Sequence, residues 1–248
     1  MRLARIYQQQ PLQSDKIVQL TEEAAHHLIR VLRLKEGAEF IIFNGEGGEF
    51  KAKLIAVQKK SVSVQIGAFN SIDTESPLQI ILAQSLLRPE KMDYVLQKSV
   101  ELGVTQVVPL ITERCVVPKL SPDRWEKRLA HWQAIMINAC EQSGRTRIPT
   151  VTRGVVFKTA LSQIKADARI ILAPNATQTL PQSSKSCHCA AVLVGPEGGW
   201  SENEMNSALT AGYLPRQLGP RILRTETAGL VALTLLQAAY GDISPNLV

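Results

Sequence analysis

Residues 1–72 contain short runs in which hydrophobic and polar positions alternate. The alternation has a period of two within 50–54 and 62–66, which places one face of each strand in a core and the other in solvent. In all, short runs bounded by turn residues cover 3–7, 16–20, 39–43, 49–57 and 61–66. The pattern predicts a small β-rich unit. One helix interrupts it, with Thr21 as the expected N-cap.

The pattern changes after a polar stretch at 70–77 that ends in proline and is typical of a linker between domains. Apolar runs typical of buried strands now alternate with helical patterns. The expected strands cover 78–83, 104–111, 169–173 and 190–194, and the expected helices cover 90–102, 121–140 and 226–240. Strands that alternate with helices predict an α/β domain with a mostly parallel sheet. We therefore expect two domains, 1–72 and 73–248.

The first candidate for chemistry is a glycine loop, Leu-Val-Gly-Pro-Glu-Gly-Gly-Trp, at 193–200. It follows an expected buried strand, and Ser201 with Glu204 fits a capping box at the start of the next helix. Gly198 and Gly199 permit a close approach of a ligand to the backbone. A strand, a glycine loop and a helix N-terminus form a common binding geometry in α/β folds. An ordinary turn between strand and helix is the alternative.

The loop also restricts the class of ligand. It lacks the Lys-Ser/Thr pair of a P-loop and the G-x-G-x-x-G of a dinucleotide fold, which excludes a nucleotide-binding oxidoreductase. Because it carries the acid Glu197 and no basic residue, it favours a neutral or cationic ligand over a polyphosphate.

A second loop lies at 218–228, with the sequence Leu-Gly-Pro-Arg-Ile-Leu-Arg-Thr-Glu-Thr-Ala. It leads into a helix, with Thr225 or Thr227 as the expected N-cap. That helix is apolar almost all round, so we expect it to be buried on most sides, either in the interior or at a subunit interface.

Composition adds little that is specific. The net charge is +6. Residues 1–72 contain ten basic and seven acidic residues, and the rest of the chain contains eighteen basic and fifteen acidic residues. Neither part is a basic tail, so an RNA-binding surface would need clustering in space. Four cysteines give no disulfide framework, and the Cys-His-Cys at 187–189 is too tightly spaced for a typical zinc site. No stretch is long and apolar enough for a membrane span. We expect a cytoplasmic protein without metal.

Two polar segments could contact RNA. One, at 26–35, combines Arg30, Arg33 and Lys35 with two histidines, and arginine forks match phosphate oxygens well. The other is Glu-Gln-Ser-Gly-Arg-Thr-Arg at 141–147. A solvated helix face and an ordinary helix stop at Gly144 are the respective alternatives.

Together these motifs resemble the signature of the bacterial 16S ribosomal RNA (uracil-N3)-methyltransferase family, which belongs to the SPOUT class. The two glycine loops carry the resemblance, and the His-His-x-x-x-Val-Leu-Arg-Leu pattern at 26–34, the loop at 141–145, Lys91 and the run at 98–103 agree with it. It implies a PUA-like RNA-binding β-barrel at 1–72 and a knotted methyltransferase domain at 73–248. It also implies a homodimer that methylates N3 of a uridine in 16S rRNA of the small ribosomal subunit.

The resemblance implies S-adenosyl-L-methionine as the cofactor, bound in a bent shape across the knot. The implied cofactor-binding residues are Ala173, Pro174, Leu193, Val194, Gly195, Pro196, Glu197, Gly198, Gly199, Leu218, Gly219, Ile222, Leu223, Arg224, Thr225, Thr227 and Ala228. The implied RNA-binding residues are Arg5, His27, Arg30, Arg33, Arg88, Lys91, Arg145 and Arg147.

Three residues are candidates for catalysis. N3 of uracil carries a proton at neutral pH, so methylation needs a group that favours its loss. Arg224 is expected to stabilise the developing anionic uracil, and Glu141 and Glu226 are candidates for proton acceptance. Glu226 has an equal alternative as a first-turn residue that interacts with the helix dipole. Competing hypotheses are a SPOUT enzyme acting on ribose 2′-oxygen and an RNA-binding assembly factor without catalysis.

Overall fold

The computed structural model describes residues 3–59, 61–115, 121–180 and 186–243. The chain forms two compact units. The first comprises Met1–Glu75 together with Ile137–Ile148, and the second comprises Ser76–Met136 and Pro149–Val248. The first unit therefore contains a second segment that lies far from 1–72 in sequence.

The first unit contains a five-stranded mixed sheet. Its strands are β1 (Arg5–Tyr7), β2 (Ile17–Gln19), β3 (Glu39–Phe43), β4 (Glu49–Val57) and β5 (Val62–Asn70), in the order β1-β3-β4-β5-β2. The β1–β3 pair is parallel and the other pairs are antiparallel. The period-two pattern is confirmed, because alternate residues of β4 such as Ala52 and Leu54 are buried in the core of this unit.

A short helix follows β2 in the first unit. Helix α1 (Glu22–His26) continues into a π-helical turn, His27–Val31. Thr21 is its N-cap, as predicted, and the Thr21 hydroxyl accepts a hydrogen bond from Ala24 N at 3.3 Å. Only Leu28 of the π-helical turn is buried in the core, so the surrounding basic residues remain at the surface.

The second unit is built on a seven-stranded sheet. Its elements are β6 (Gln79–Ser85), α2 (Pro89–Glu101), β7 (Gln106–Ile111), α3 (Pro122–Ser143, whose last residues belong to the first unit), β8 (Thr150–Val151), β9 (Val155–Val156), α4 (Phe157–Gln163), β10 (Ala168–Leu172), β11 (Cys189–Val194), α5 (Glu202–Thr210), β12 (Leu214–Arg216) and α6 (Thr225–Tyr240).

The strand order is β12-β10-β11-β6-β7-β8, with β9 also paired to β7, and every described pairing in this sheet is parallel. The prediction of an α/β fold with a parallel sheet is therefore confirmed. The hydrophobic pattern does not indicate β8, β9, β12 or α4. A seven-residue helix shows no clear period, and strands of two or three residues are detected only inside a longer run, as β1 and β2 are.

Helix α6 differs from its prediction at its start. Its N-cap is Arg224, which makes no side-chain capping hydrogen bond, so the expected Thr225 or Thr227 cap is wrong; Thr225 is already the first helical residue. One face packs inward through Gly229, where the missing side chain lets the helix approach Leu82 and Val194. Leu235 on another face is 43% exposed, which the prediction of burial on most sides allows.

Within the described part of the chain, no helix has the length and apolar character needed to cross a membrane.

Candidate active site

The loops that follow five parallel strands of the second unit share one edge of its sheet, because parallel strands end on the same side. These loops begin after Ser85, Ile111, Leu172, Val194 and Arg216. Ala173 and Pro174 follow β10, the first glycine loop follows β11, and the second loop follows β12 and leads into α6. All seventeen predicted cofactor residues lie at this edge or at the strand and helix ends that form it.

The first glycine loop is fixed at both ends. Gly199 has a φ of +70°, and its N–H closes a turn by donating to Pro196 O at 2.9 Å. The predicted capping box is present: Ser201 Oγ accepts from Glu204 N at 3.1 Å, and a Glu204 carboxylate oxygen accepts from Ser201 N at 3.0 Å. The loop therefore enters α5 in a defined conformation.

Trp200 anchors this loop to the neighbouring strand. Its indole Nε1 donates to Leu172 O at the end of β10 (2.9 Å), and its ring lies 5.1 Å from the Phe157 ring. A Cβ atom at Gly195 would lie 3.0 Å from the Trp200 ring. A side chain at 195 would therefore press against the indole that makes this hydrogen bond.

The segment after β7, which no sequence motif indicated, also supports the first loop. Arg114 Nη1 donates to Gly198 O at 3.0 Å and to Trp200 O at 3.2 Å. The buried Glu204 carboxylate accepts a further hydrogen bond from Glu113 N at 2.9 Å. Glu113 and Arg114 lie in no sequence motif. The available signal was that both follow the carboxyl end of a strand.

The second loop presents its side chains at the surface. Gly219 has a φ of +119°, Ile222 is 86% exposed, and Arg224 is exposed beside it. Arg224 O accepts the backbone N–H groups of Thr227 and Ala228 at 2.9 and 2.8 Å. This arrangement fixes the backbone at the start of α6 and leaves the Arg224 guanidinium at the edge.

Lys91, in the first turn of α2, bridges two acids of this edge. Its Nζ lies 2.5 Å from Glu197 Oε1 in the first loop and 3.3 Å from Glu226 Oε1 in the first turn of α6. The hydrogen bond to Glu197 raises the pKa of Lys91, and the same bond holds the pKa of Glu197 below its ordinary value. The positive charges of Arg88 and Arg224 lower the pKa of Glu197 further.

The third candidate acid, Glu141, belongs to the first unit. Its Oε1 accepts from Tyr7 N at 2.9 Å, and His27 Nδ1 lies 3.0 Å from its Oε2. Burial raises the pKa of Glu141, although these two contacts oppose the shift. Glu226 and Arg224 lie in the second unit, so the three candidates for catalysis are divided between the units.

The predicted RNA-binding residues of the first unit fall into two groups. Arg5 pairs with Glu49 and donates to Arg145 O at 3.0 Å, and Arg145 pairs with Glu75. The side chains of both arginines are only 7% exposed, so their guanidinium groups are engaged within the unit. The other group is at the surface: Arg30, Arg33 and Arg147 are exposed, and His27 is partly exposed.

The Cys-His-Cys segment is part of the strand start. Cys189 opens β11, and the backbone N–H groups of His188 and Cys189 both donate to Asp167 Oδ2 at 3.0 Å. Within the described ranges, no cluster of three His, Cys, Asp or Glu side chains could hold a metal ion.

Comparison with known proteins now assigns the family. The family model described as an RNA methyltransferase domain matches residues 74–237, and the one described as an RNA methyltransferase PUA domain matches residues 20–67. This chain belongs to the RNA methyltransferase family. The first match spans most of the α/β unit and also includes residues 137–148, which belong to the mixed-sheet unit; the second match covers the larger part of the mixed-sheet unit.

Relatives within the RNA methyltransferase family cover nearly the whole chain. Ribosomal RNA small subunit methyltransferase E of Buchnera aphidicola subsp. Schizaphis graminum is 35% identical over 98% of this chain and 99% of its own. The protein of the same name from Bacillus subtilis is 30% identical, with 92% of each chain covered.

Solved structures show the same fold. A methyltransferase from Legionella pneumophila in complex with S-adenosylmethionine has a TM-score of 0.93 and 41% identity, covering 98% of this chain and all of its own. Ribosomal RNA small subunit methyltransferase E from Neisseria gonorrhoeae, bound to S-adenosylmethionine, has a TM-score of 0.90 and 38% identity with the same coverage.

Proposed function

We propose that this member of the RNA methyltransferase family transfers a methyl group from S-adenosylmethionine to N3 of a specific uridine in 16S rRNA. The observation that carries the proposal is the position of the two signature loops at one edge of the parallel sheet, within the part of the chain that matches the RNA methyltransferase domain. The names and bound cofactor of the relatives support it.

The loops fit the proposed cofactor. An added Cβ at Gly199 or at Gly219 would meet no atom within 4 Å, so the backbone of both loops borders open space, as a ligand held by main-chain groups requires. Glu197 supplies a negative charge, which suits a sulfonium cation that lacks phosphate. When bound, S-adenosylmethionine supplies the electrophilic methyl group. We assign its binding to the seventeen residues at this edge that the signature implies.

The side chains at the edge fit the proposed reaction. N3 lies on the Watson–Crick edge of uracil, so the base must be unpaired or turned out of a helix to be reached. The exposed Arg224 guanidinium would stabilise the negative charge that develops on the base as the proton leaves. Glu226 is our first choice as the proton acceptor, because it lies in the same unit as Arg224, and Glu141 is the second.

The first unit is proposed to bind the RNA, as its match to a PUA domain supports. Exposed Arg30, Arg33 and Arg147 would contact phosphates, together with His27 of the same unit and Arg88 of the second unit. The buried Arg5 and Arg145 would instead hold this surface together. We further propose a PUA-like barrel at 1–72, a knot in the domain at 73–248, and a cytoplasmic homodimer that acts on the small ribosomal subunit.

The test is to incubate the protein with labelled S-adenosylmethionine and small ribosomal subunits from a strain lacking this activity, and to map the product by mass spectrometry. A single N3-methyluridine in 16S rRNA is expected. Arg224→Ala should lower kcat by about 10²- to 10³-fold, since it removes a charge-stabilising donor. Arg221→Ala, in the same loop, is the matched control and should retain the wild-type kcat.

Other outcomes would correct the proposal in defined ways. A 2′-O-methylated nucleoside would retain the fold and change the target atom. Cofactor binding without any labelled ribosomal RNA would assign the enzyme to a different RNA. Failure to bind S-adenosylmethionine would exclude the methyltransferase activity.

A further inference from the structure

Lys91 connects three segments that are far apart in sequence. It lies in the first turn of α2, Glu197 lies in the loop after β11, and Glu226 lies in the first turn of α6. The Lys91 side chain is 30% exposed, and that of Glu226 is 14% exposed. The bridge is therefore partly shielded from solvent, where ion pairs are less screened than at the open surface.

The charges around the bridge explain why a cation is needed there. Two carboxylates, Glu197 and Glu226, approach the same ammonium group, and without it they would repel each other. The positive charges of Arg88, just before α2, and Arg224, just before α6, also lower the pKa of Glu197. Lys91 is the group whose contacts join the two acids directly.

The two oxygens of Glu226 have different surroundings. Oε1 faces Lys91, whereas Oε2 is buried and, among the described residues, has no hydrogen-bond partner. A buried carboxylate oxygen without a donor is costly and requires an explanation. A substrate group that donates a proton would supply the missing partner.

We propose that Lys91 is a positioning residue for the methyl transfer: it holds Glu226 so that the second carboxylate oxygen receives the proton of uracil N3. The inference rests on the proposed function. In the step, the N3 proton passes to Glu226, N3 forms a bond to the methyl carbon, and the carbon–sulfur bond breaks with its electron pair left on sulfur. This role differs from the RNA contact that the family resemblance implies for Lys91, which for a lysine would be a phosphate contact.

The test compares Lys91→Met with Lys91→Arg and with Lys98→Met. Lys98 lies two turns further along α2 and pairs with Glu101, so it is a matched surface control. Lys91→Met should lower kcat by about 10²-fold, within the range for loss of general acid–base catalysis, with little change in KM for the RNA. Lys91→Arg, which retains a cation, should recover part of this loss, and Lys98→Met should behave as wild type.

A phosphate contact would give the opposite pattern. Lys91→Met would then raise KM for the RNA, leave kcat unchanged and reduce the salt dependence of binding by about one phosphate equivalent. That result would overturn the inference.

A double-mutant cycle tests whether Lys91 acts through Glu226. Glu226→Gln should lower kcat, and adding Lys91→Met to it should have little further effect. Equal losses from Lys91→Met in both backgrounds would overturn the inference. If the wild type binds the cofactor but forms no N3-methyluridine, the proposed function fails. The same double-mutant cycle, measured as the free energy of unfolding, then tests the Lys91–Glu226 contact without catalysis. Additive losses of stability in the two single variants would exclude that contact.

Discussion

At the scale of single residues, two arginine–glutamate pairs differ in their surroundings. Arg145 forms a forked contact with Glu75, and these side chains are 7% and 15% exposed. Arg153 pairs with Glu126, and these side chains are 55% and 57% exposed. A charge left without its partner is costly in the first setting and is readily hydrated in the second.

This contrast predicts different costs of removing each arginine. Arg145→Met should lower the free energy of unfolding by about 3–5 kcal/mol, because it leaves the Glu75 carboxylate without its cation in a largely buried site. Arg153→Met, the control, should change it very little. Urea unfolding followed by circular dichroism measures both. Equal losses in the two variants would show that burial does not set the strength of these pairs.

Glu141 gives the first unit a defined pH dependence. Burial raises the pKa of this carboxyl in the folded state, so at pH values between the ordinary and the raised pKa the folded state keeps a proton that the unfolded chain releases. Stability from this group therefore falls as the pH rises through that window. Glu141→Gln keeps an acceptor for Tyr7 N but cannot ionise.

We expect Glu141→Gln to lose less stability than the wild type as the pH rises through this window. The urea midpoint of both proteins, measured at a series of pH values above the ordinary carboxyl range, tests this. A wild-type midpoint that rises with pH by more than that of the variant would reverse the assigned direction of the shift.

At the scale of elements, the capping box of α5 connects the first glycine loop to its helix. Ser201 and Glu204 satisfy each other's backbone N–H groups, and Glu204 also receives Glu113 N. Ser201→Ala should lower the free energy of unfolding by about 1 kcal/mol. Ser207→Ala is the control on the same helix, because the exposed Ser207 hydroxyl donates only to Asn203 O one turn earlier. A similar small effect from both variants would exclude a stabilising role for the box.

Elements with local signals could be predicted from sequence. Strands β3 and β4 have the predicted bounds because alternation and turn residues mark both ends. The start of α6 differs because two threonines compete as caps, and the backbone begins the helix at the first of them. The signature also predicted the two glycine loops, in which Gly199 and Gly219 adopt the positive φ angles that favour glycine; the binding roles of the loop residues stay a prediction.

The contacts within the site could not be predicted, because they join distant parts of the chain. Lys91 meets Glu197 and Glu226 across more than 100 intervening residues, and nothing local to α2 indicates either partner. Arg114 supports the first loop only because β7 ends at the same edge as β11. Such pairs follow from the strand order, which the sequence pattern does not determine.

At the scale of the whole molecule, residues 137–148 show that the two units are not divided at a single point in the sequence. This segment lies between two stretches of the second unit in sequence but belongs to the first. Several polar contacts attach it: Arg145 pairs with Glu75, and Glu141 accepts a hydrogen bond from Tyr7 N. A hydrophobic pattern alone carries no signal for such an attachment, so the sequence predicted contiguous domains.

We propose that the exposed face of α6 forms the interface between two copies of the chain. Leu235 is 43% exposed there, Ala239 one turn later is also exposed, and Ile222 just before the helix is 86% exposed. A helix this apolar gains by covering such a face, since burial removes apolar area from water. A charge at Leu235 would have to be desolvated when that face is covered.

We therefore expect Leu235→Glu to shift the protein from dimer to monomer in sedimentation velocity experiments. Leu209→Glu is the matched control, because Leu209 is 45% exposed on α5 and lies outside the proposed interface, so this variant should sediment as the wild type does. A wild type that sediments as a monomer would contradict the proposed homodimer. If Leu235→Glu still forms a dimer, the interface lies on another surface, and dimerisation does not explain the exposed apolar face of α6.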